Sequence, residues 1–147
     1  MPAEVEALVD EARAALAEGN WQAARSAFET TLEHDDSPEA LIGLSDALWW
    51  LGDTDGAVRC AERAYAGFRR RDEPLQAAVA AITLYFHYRV SLGNTAAARG
   101  WMGRAARLVE NFELDLVVCD VEMPGGSGFD RIRSVRERGG DLAVATC

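Results

Sequence analysis

Gly19-Asn-Trp-Gln-Ala-Ala-Arg-Ser-Ala-Phe28 (GNWQAARSAF) is the stretch on which the fold of this 147-residue chain turns. A glycine that closes a helix takes the left-handed conformation that a Cβ disfavours. An asparagine directly after it can accept from the free N–H groups of the next helix. The small pair Ala23-Ala24 then lets that helix approach its partner closely, and Phe28 faces inward. The same register recurs in Gly52–Ala61 (GDTDGAVRCA) and Gly93–Met102 (GNTAAARGWM). Each copy opens on Gly followed by Asn or Asp, and places small residues four and five positions on: Gly56-Ala57 and Ala97-Ala98 in the later copies. Each has an apolar residue nine positions after its glycine (Phe28, Ala61, Met102), and the copies recur at intervals of 33 and 41 residues. Such a period marks stacked helix-turn-helix units rather than a single globular layer.

Hydrophobic periodicity predicts six helices. Apolar side chains step by three and four through Val5, Leu8, Ala12 and Ala15, and again through Trp21, Ala24, Phe28 and Leu32. The series continues with Leu41, Leu44, Leu48 and Leu51, then Val58, Ala61, Tyr65 and Phe68. The fifth is Leu75, Val79, Ile82 and Phe86, and the sixth Ala98, Trp101, Ala105 and Leu108. Pro38 and Pro74 stand where a first helical turn tolerates proline. The fifth helix, about 74–92, is expected to be the longest, the most apolar and the most buried.

These features resemble tetratricopeptide repeats over about residues 5–110. The resemblance implies a mainly α fold: three TPR-like helical hairpins in a right-handed α-solenoid, with residues 1–110 as its domain. It departs from the family in the second interval, 41 residues against the usual value of about 34, and in lacking a proline at each repeat end. Irregular repeats with the turn Trp49-Trp50-Leu51-Gly52-Asp53 are similar to the helical-repeat segments of LuxR-type bacterial transcriptional regulators. That family carries its DNA-binding helix-turn-helix at the far C-terminus, and no such segment is expected here. The resemblance implies a protein-interaction module, whose peptide-binding groove would draw on exposed positions of the first, third and fifth helices, including Asp46, Trp50 and Tyr85.

After Glu110 the pattern changes. Leu114–Cys119 is short and valine-rich and reads as a strand. Gly125-Gly126 mark a loop, Ser127–Arg138 a helix, and Leu142–Ala145 a second strand, giving a β-α-β segment over 111–147. Within it, Asp120 is followed by Met123 and Pro124 at three and four positions on and by Gly128 at eight. This resembles the phosphoacceptor segment of bacterial response-regulator receiver domains. The resemblance implies Asp120 as phosphoacceptor, with Met123, Pro124 and Gly128 as motif positions and Thr146 as the switch hydroxyl. A carboxylate at the end of a parallel strand lies where α/β sheets put their ligand sites. Phosphoryl transfer also needs Mg²⁺ and cationic help. The family's metal-binding acidic pair on a first strand has no counterpart, and its lysine is impossible because all 15 basic residues are arginine. The segment is therefore expected to be incomplete and inactive, binding Mg²⁺ only if another chain completes the site. The alternative is a phosphorelay component phosphorylated on Asp120. Open strand edges would also permit self-association.

Bulk properties narrow the remaining classes. The net charge of −9 argues against a nucleic-acid binder. Residues 1–58 hold 13 acidic residues against Arg13 and Arg25 alone, while residues 59–147 hold 11 against 13 arginines. Cys60, Cys119 and Cys147 have neither zinc-ligand spacing nor the even count of a disulfide framework. His34 and His87 lack partners at ligand spacing, and Asp35-Asp36 sits in an inter-helical turn rather than at a strand end. Ser127 has no triad partners. Arg131, Arg133, Arg136 and Arg138 fall on the solvent side of their predicted helix. The acidic N-terminus is no signal peptide, and the longest uncharged run, Leu75–Tyr88, is too short and polar to span a bilayer. The expectation is a cytoplasmic, non-enzymatic binding protein without cofactor or metal.

Overall fold

The computed structural model describes residues 3–110, 116–118 and 143–145. The chain divides into two units, Met1–Val109 and Glu110–Cys147. The first is built from six α-helices: α1 (Ala3–Ala17), α2 (Trp21–His34), α3 (Pro38–Trp50), α4 (Thr54–Arg70), α5 (Pro74–Phe86) and α6 (Thr95–Val109). Each packs against the next in sequence, and α1 also touches α3. The pairs form three consecutive hairpins.

The three Gly-Asx turns take the expected conformation. Gly19, Gly52 and Gly93 have φ of 76°, 86° and 61°. The side-chain Oδ1 atoms of Asn20, Asp53 and Asn94 accept from the N–H groups of Ala23, Gly56 and Ala97 at 3.3, 2.9 and 3.0 Å. The second member of each small pair, Ala24, Ala57 and Ala98, is buried, and in the middle pair Gly56 is buried too. A turn of the same hand joins α4 to α5 without a glycine. Asp72 takes φ 56°, and the Glu73 N–H reaches back to the Phe68 carbonyl at 3.0 Å.

The longer second interval is absorbed by helix, not loop. α4 has 17 residues where α2 has 14. α5 matches α3 at 13 residues, but beyond it runs a five-residue π-helix, His87–Ser91. The fifth helix therefore differs from expectation: its α-helical hydrogen bonding ends at Phe86, and the N–H of Leu92 reaches five residues back to the His87 carbonyl. Nor is it the most enclosed. That position belongs to α3, which buries Pro38, Ala40, Leu41, Gly43, Leu44, Ser45, Ala47 and Leu48. α3 has α1, α2 and α4 around it, whereas α5 leaves Leu75 and Val79 exposed. Apolar content did not decide burial; the number of neighbours did.

The core runs continuously along the helices through alanines. Val9, Ala12, Ala24, Phe28, Leu44 and Leu48 form its first section, and Leu41, Ala64, Phe68, Ala77 and Ala80 its second. Val58, Ala61 and Leu84, then Ala78, Ala81 and Ala105, complete it. Phe28 is fully buried, and its ring lies where a side chain on Gly43 would otherwise stand. Gly67 likewise makes room for Pro38, whose Cγ would lie 2.6 Å from an added Cβ. Bare backbone at Gly43 lets the first and second hairpins approach closely, and at Gly67 it does the same for the two helices of the second hairpin.

In the second unit, β1 (Leu116–Val118) and β2 (Ala143–Ala145) pair in parallel, with Leu116 opposite Ala143 and Val118 opposite Ala145. The helix expected between them at 127–138 lies outside the described residues. So do Asp120, Met123, Pro124, Gly128 and Thr146. No helix among the described residues is long and apolar enough to cross a membrane.

Candidate functional site

Among the described residues, the exposed large apolar side chains fall on α3, on α5, on the π-helix and in the turns that follow them. Asp46 and Trp50 lie one turn apart on α3, and Trp50 is 57% exposed. On α5 and the π-helix, Leu75, Val79 and Val90 are exposed, Val79 at 57% and Val90 at 65%. Leu51 and Leu92, directly after α3 and the π-helix, are exposed as well.

Trp50 is not a loose side chain. Its ring stacks on Trp21 with centroids 4.9 Å apart and planes 8° from parallel. Trp49 meets it edge-on, at 4.9 Å and 74°. Adjacent residues on a helix point about 100° apart, so one tryptophan faces inward and the other outward. Trp49 is the inner one: its Nε1–H donates to Ser91 Oγ at 2.8 Å. The stacked pair is thus a rigid aromatic surface at the end of α3, held from beneath by the π-helix.

Beneath lies a buried polar contact between the second and third hairpins. Ser45 Oγ donates to the Ala57 carbonyl at 2.8 Å and lies 3.1 Å from His87 Nε2. A hydroxyl has one proton to give. With that proton committed to Ala57, Ser45 accepts from His87, which fixes the ring as the Nε2–H tautomer. Nδ1 is then a buried acceptor with no hydrogen-bond partner among the described residues. His87 is 4% exposed, and burial lowers its pKa below the ordinary value. The histidine is a packed structural group, as its lack of ligand-spaced partners suggested.

Asp46 is open to solvent at the surface of α3, yet enough protein crowds its carboxyl that burial pushes its pKa up to about 6. Tyr85 requires a correction. It was expected among the exposed groove positions, but it is buried, its ring edge-on to Phe86 at 5.1 Å and its hydroxyl accepting from Arg89 at 3.0 Å. Val79, one turn and a half before it on the open side of α5, is the exposed residue there. Sequence reasoning missed Val79, Val90 and the Trp21–Trp50 stack. The signal for Val79 was present in the α5 period, read as core facing. The stack had none, because Trp21 and Trp50 are brought together only by the packing of α2 against α3.

Of the Asp35-Asp36 pair, Asp36 has a cationic partner. Asp36 Oδ1 accepts from Arg63 Nη2 at 2.6 Å. No group of three or more metal-ligating side chains occurs among the described residues.

Residues 15–82 match the tetratricopeptide repeat family. The match begins in α1 and ends within α5, so it takes in the stacked tryptophans and the Gly43–Phe28 contact. Helical hairpins of this repeat type generally mediate protein–protein interaction. No curated protein matches the chain.

Proposed function

We propose that the helical unit is a non-enzymatic protein-interaction module that takes a peptide or protein segment against α3 and α5. The observation that carries this reading is the exposure of Trp50, Val79 and Val90 on the first helices of the second and third hairpins. Exposed apolar residues scattered singly are normal, but an exposed tryptophan stacked on a second one, with exposed valines on the next hairpin, fits an interaction surface. Acidic residues dominate the first 58 positions, and Asp46 sits beside Trp50, so a segment with both apolar and basic side chains fits best.

A peptide-display selection on the whole chain tests this. Enriched peptides should lose at least about tenfold in affinity when Trp50→Ala or Val79→Asp is introduced, since central aromatic anchors carry about 2 kcal/mol or more of binding. Enrichment that is indifferent to both substitutions would refute the assignment.

We further infer that the module belongs to a cytoplasmic bacterial signal-transduction or transcriptional regulator whose 111–147 segment is an incomplete, inactive receiver. The support is the motif Asp120, Met123, Pro124, Gly128 together with the absence of lysine from the chain. A second reading makes Asp120 a phosphorelay acceptor completed by another chain that supplies the remaining Mg²⁺ ligands. Incubation with acetyl phosphate and Mg²⁺ separates the two. Incompleteness predicts no mass increase, whereas a gain of one phosphate that disappears in Asp120→Asn would establish the relay.

A further inference from the structure

We propose that a recess between α4 and α6 binds a phosphate monoester in its dianionic form. The recess has a volume of about 360 Å³ and is lined by Tyr65 and Arg69 from α4 and Arg104, Arg107 and Leu108 from α6. It lies on the second helices of their hairpins, away from the α3 and α5 residues named above, and does not rest on the peptide-binding reading.

Three guanidinium groups around one recess need an explanation in a chain of net charge −9. Among the described residues, Arg13, Arg25, Arg63 and Arg71 pair with carboxylates. Arg69, Arg104 and Arg107 form no such pair among the described residues. Like charges gathered without compensation repel, and a dianion removes that repulsion. A carboxylate, with one charge and two oxygens, engages one guanidinium fork. A phosphate monoester offers two charges and three terminal oxygens, which suits a recess lined by three guanidinium groups.

Two of the three arginines already rest against aromatic side chains. Arg104 lies over the Trp101 ring, 4.7 Å from its centroid, and Trp101 is fixed edge-on against Tyr65 at 5.1 Å and 81°. Arg69 Nη1 donates to Tyr65 Oη at 3.3 Å. Gly100 and Gly103 stand one turn before Arg104 and Arg107. A Cβ on either would sit 3.4 or 3.5 Å from the corresponding Nη1, an ordinary contact, so the Arg104 and Arg107 guanidinium groups fold back along their own helix. Restraining long side chains beforehand lowers the entropy lost on binding.

The dianion can be a free small phosphate or the side-chain phosphate of a phosphorylated peptide. Arginine Nε–Hε signals followed by NMR on the full chain distinguish them. The probes are inorganic phosphate, an acetylated and amidated Gly-phosphoserine-Gly peptide, and acetate, all at constant ionic strength. Saturable shifts are expected at Arg69, Arg104 and Arg107 with both phosphates. Half-saturation should rise about tenfold when Arg104→Gln or Arg107→Gln removes one charge-assisted contact, and should not move in Arg99→Gln. Binding should be weaker at about pH 5.5 than at about pH 7.5, because the second phosphate ionisation lies near pH 6. Tighter binding of the peptide identifies a phosphorylated protein as the source; tighter binding of inorganic phosphate identifies a free metabolite. Shifts that do not saturate, or that acetate reproduces at equal concentration, overturn the proposal. That wild-type comparison stands even if a variant fails to fold.

Discussion

The second and third hairpins begin from the same sequence pattern and end in different environments. α3 is closed in by α1, α2 and α4, and its side chains fill the space between them. α5 packs on α4 and α6, and it keeps Leu75 and Val79 in solvent, as the π-helix after it keeps Val90. Both hairpins close on a left-handed glycine and an Asx cap. They differ in how the first helix reaches that turn. α3 runs to Trp50 as an α-helix, and the Asp53 N–H returns five residues to the Leu48 carbonyl. α5 passes into a π-helix, and the Asn94 N–H returns six residues to Tyr88 at 2.8 Å. Single turns of π-helix often occur at functional sites. Here the turn delivers His87 to Ser45 and Ser91 to Trp49, tying the exposed hairpin to the enclosed one. One repeat signature can thus serve an enclosed position and an open one, provided that the helix feeding the turn adjusts.

The largest expected effect breaks the enclosed side. Phe28→Ala removes a fully buried ring and leaves a cavity against Gly43, and should lower unfolding free energy by about 3–5 kcal/mol in urea titration. Next comes Gly43→Ala, whose added methyl meets the Phe28 ring. A cost of about 1–3 kcal/mol is expected from overpacking, and combination with Phe28→Ala should recover part of it. A loss near zero would mean that α3 is less tightly held than its burial implies.

The link between the hairpins is tested by pH. His87 has its folded pKa below its ordinary value. Its contribution is therefore present above the unfolded pKa of about 6.5 and lost as pH falls through the folded value. Asp46 acts in the opposite sense. Its folded pKa of about 6 lies above the unfolded value, so its contribution is present below about pH 3.9 and lost as pH rises through 6. Thermal melts should show Asp46→Asn flattening the decline between about pH 4 and 6, with little change below it. His87→Gln should remove the acid-side loss below about pH 6.5 while lowering stability throughout. The smallest effect is expected on the open side. Val79→Ser should change stability by less than about 0.5 kcal/mol, because the residue has few native contacts to lose.

Much of this protein was legible without coordinates. Gly19-Asn20, Gly52-Asp53 and Gly93-Asn94 named their turns because only glycine takes positive φ freely and a short polar side chain beside it caps the next helix. The six helices followed from the three- and four-residue steps of their apolar positions. The Asp72 turn escaped notice because it uses a non-glycine residue at φ 56°, so composition gave no mark. Tyr85 and Val79 exchanged expected roles for a different reason. Both lie on an apolar helix, and a helix that is apolar nearly all round does not declare which stripe finds a neighbour.

Local chemistry set the turns, the caps and the helix boundaries, since each depends on a few consecutive residues and their backbone preferences. Burial, the Trp21–Trp50 stack, the Ser45–His87 bond and the gathering of Arg69 with Arg104 and Arg107 depend on residues distant in sequence. Those were decided only when hairpin packed on hairpin, because contact across helices follows from crossing geometry and available space, which no local pattern encodes.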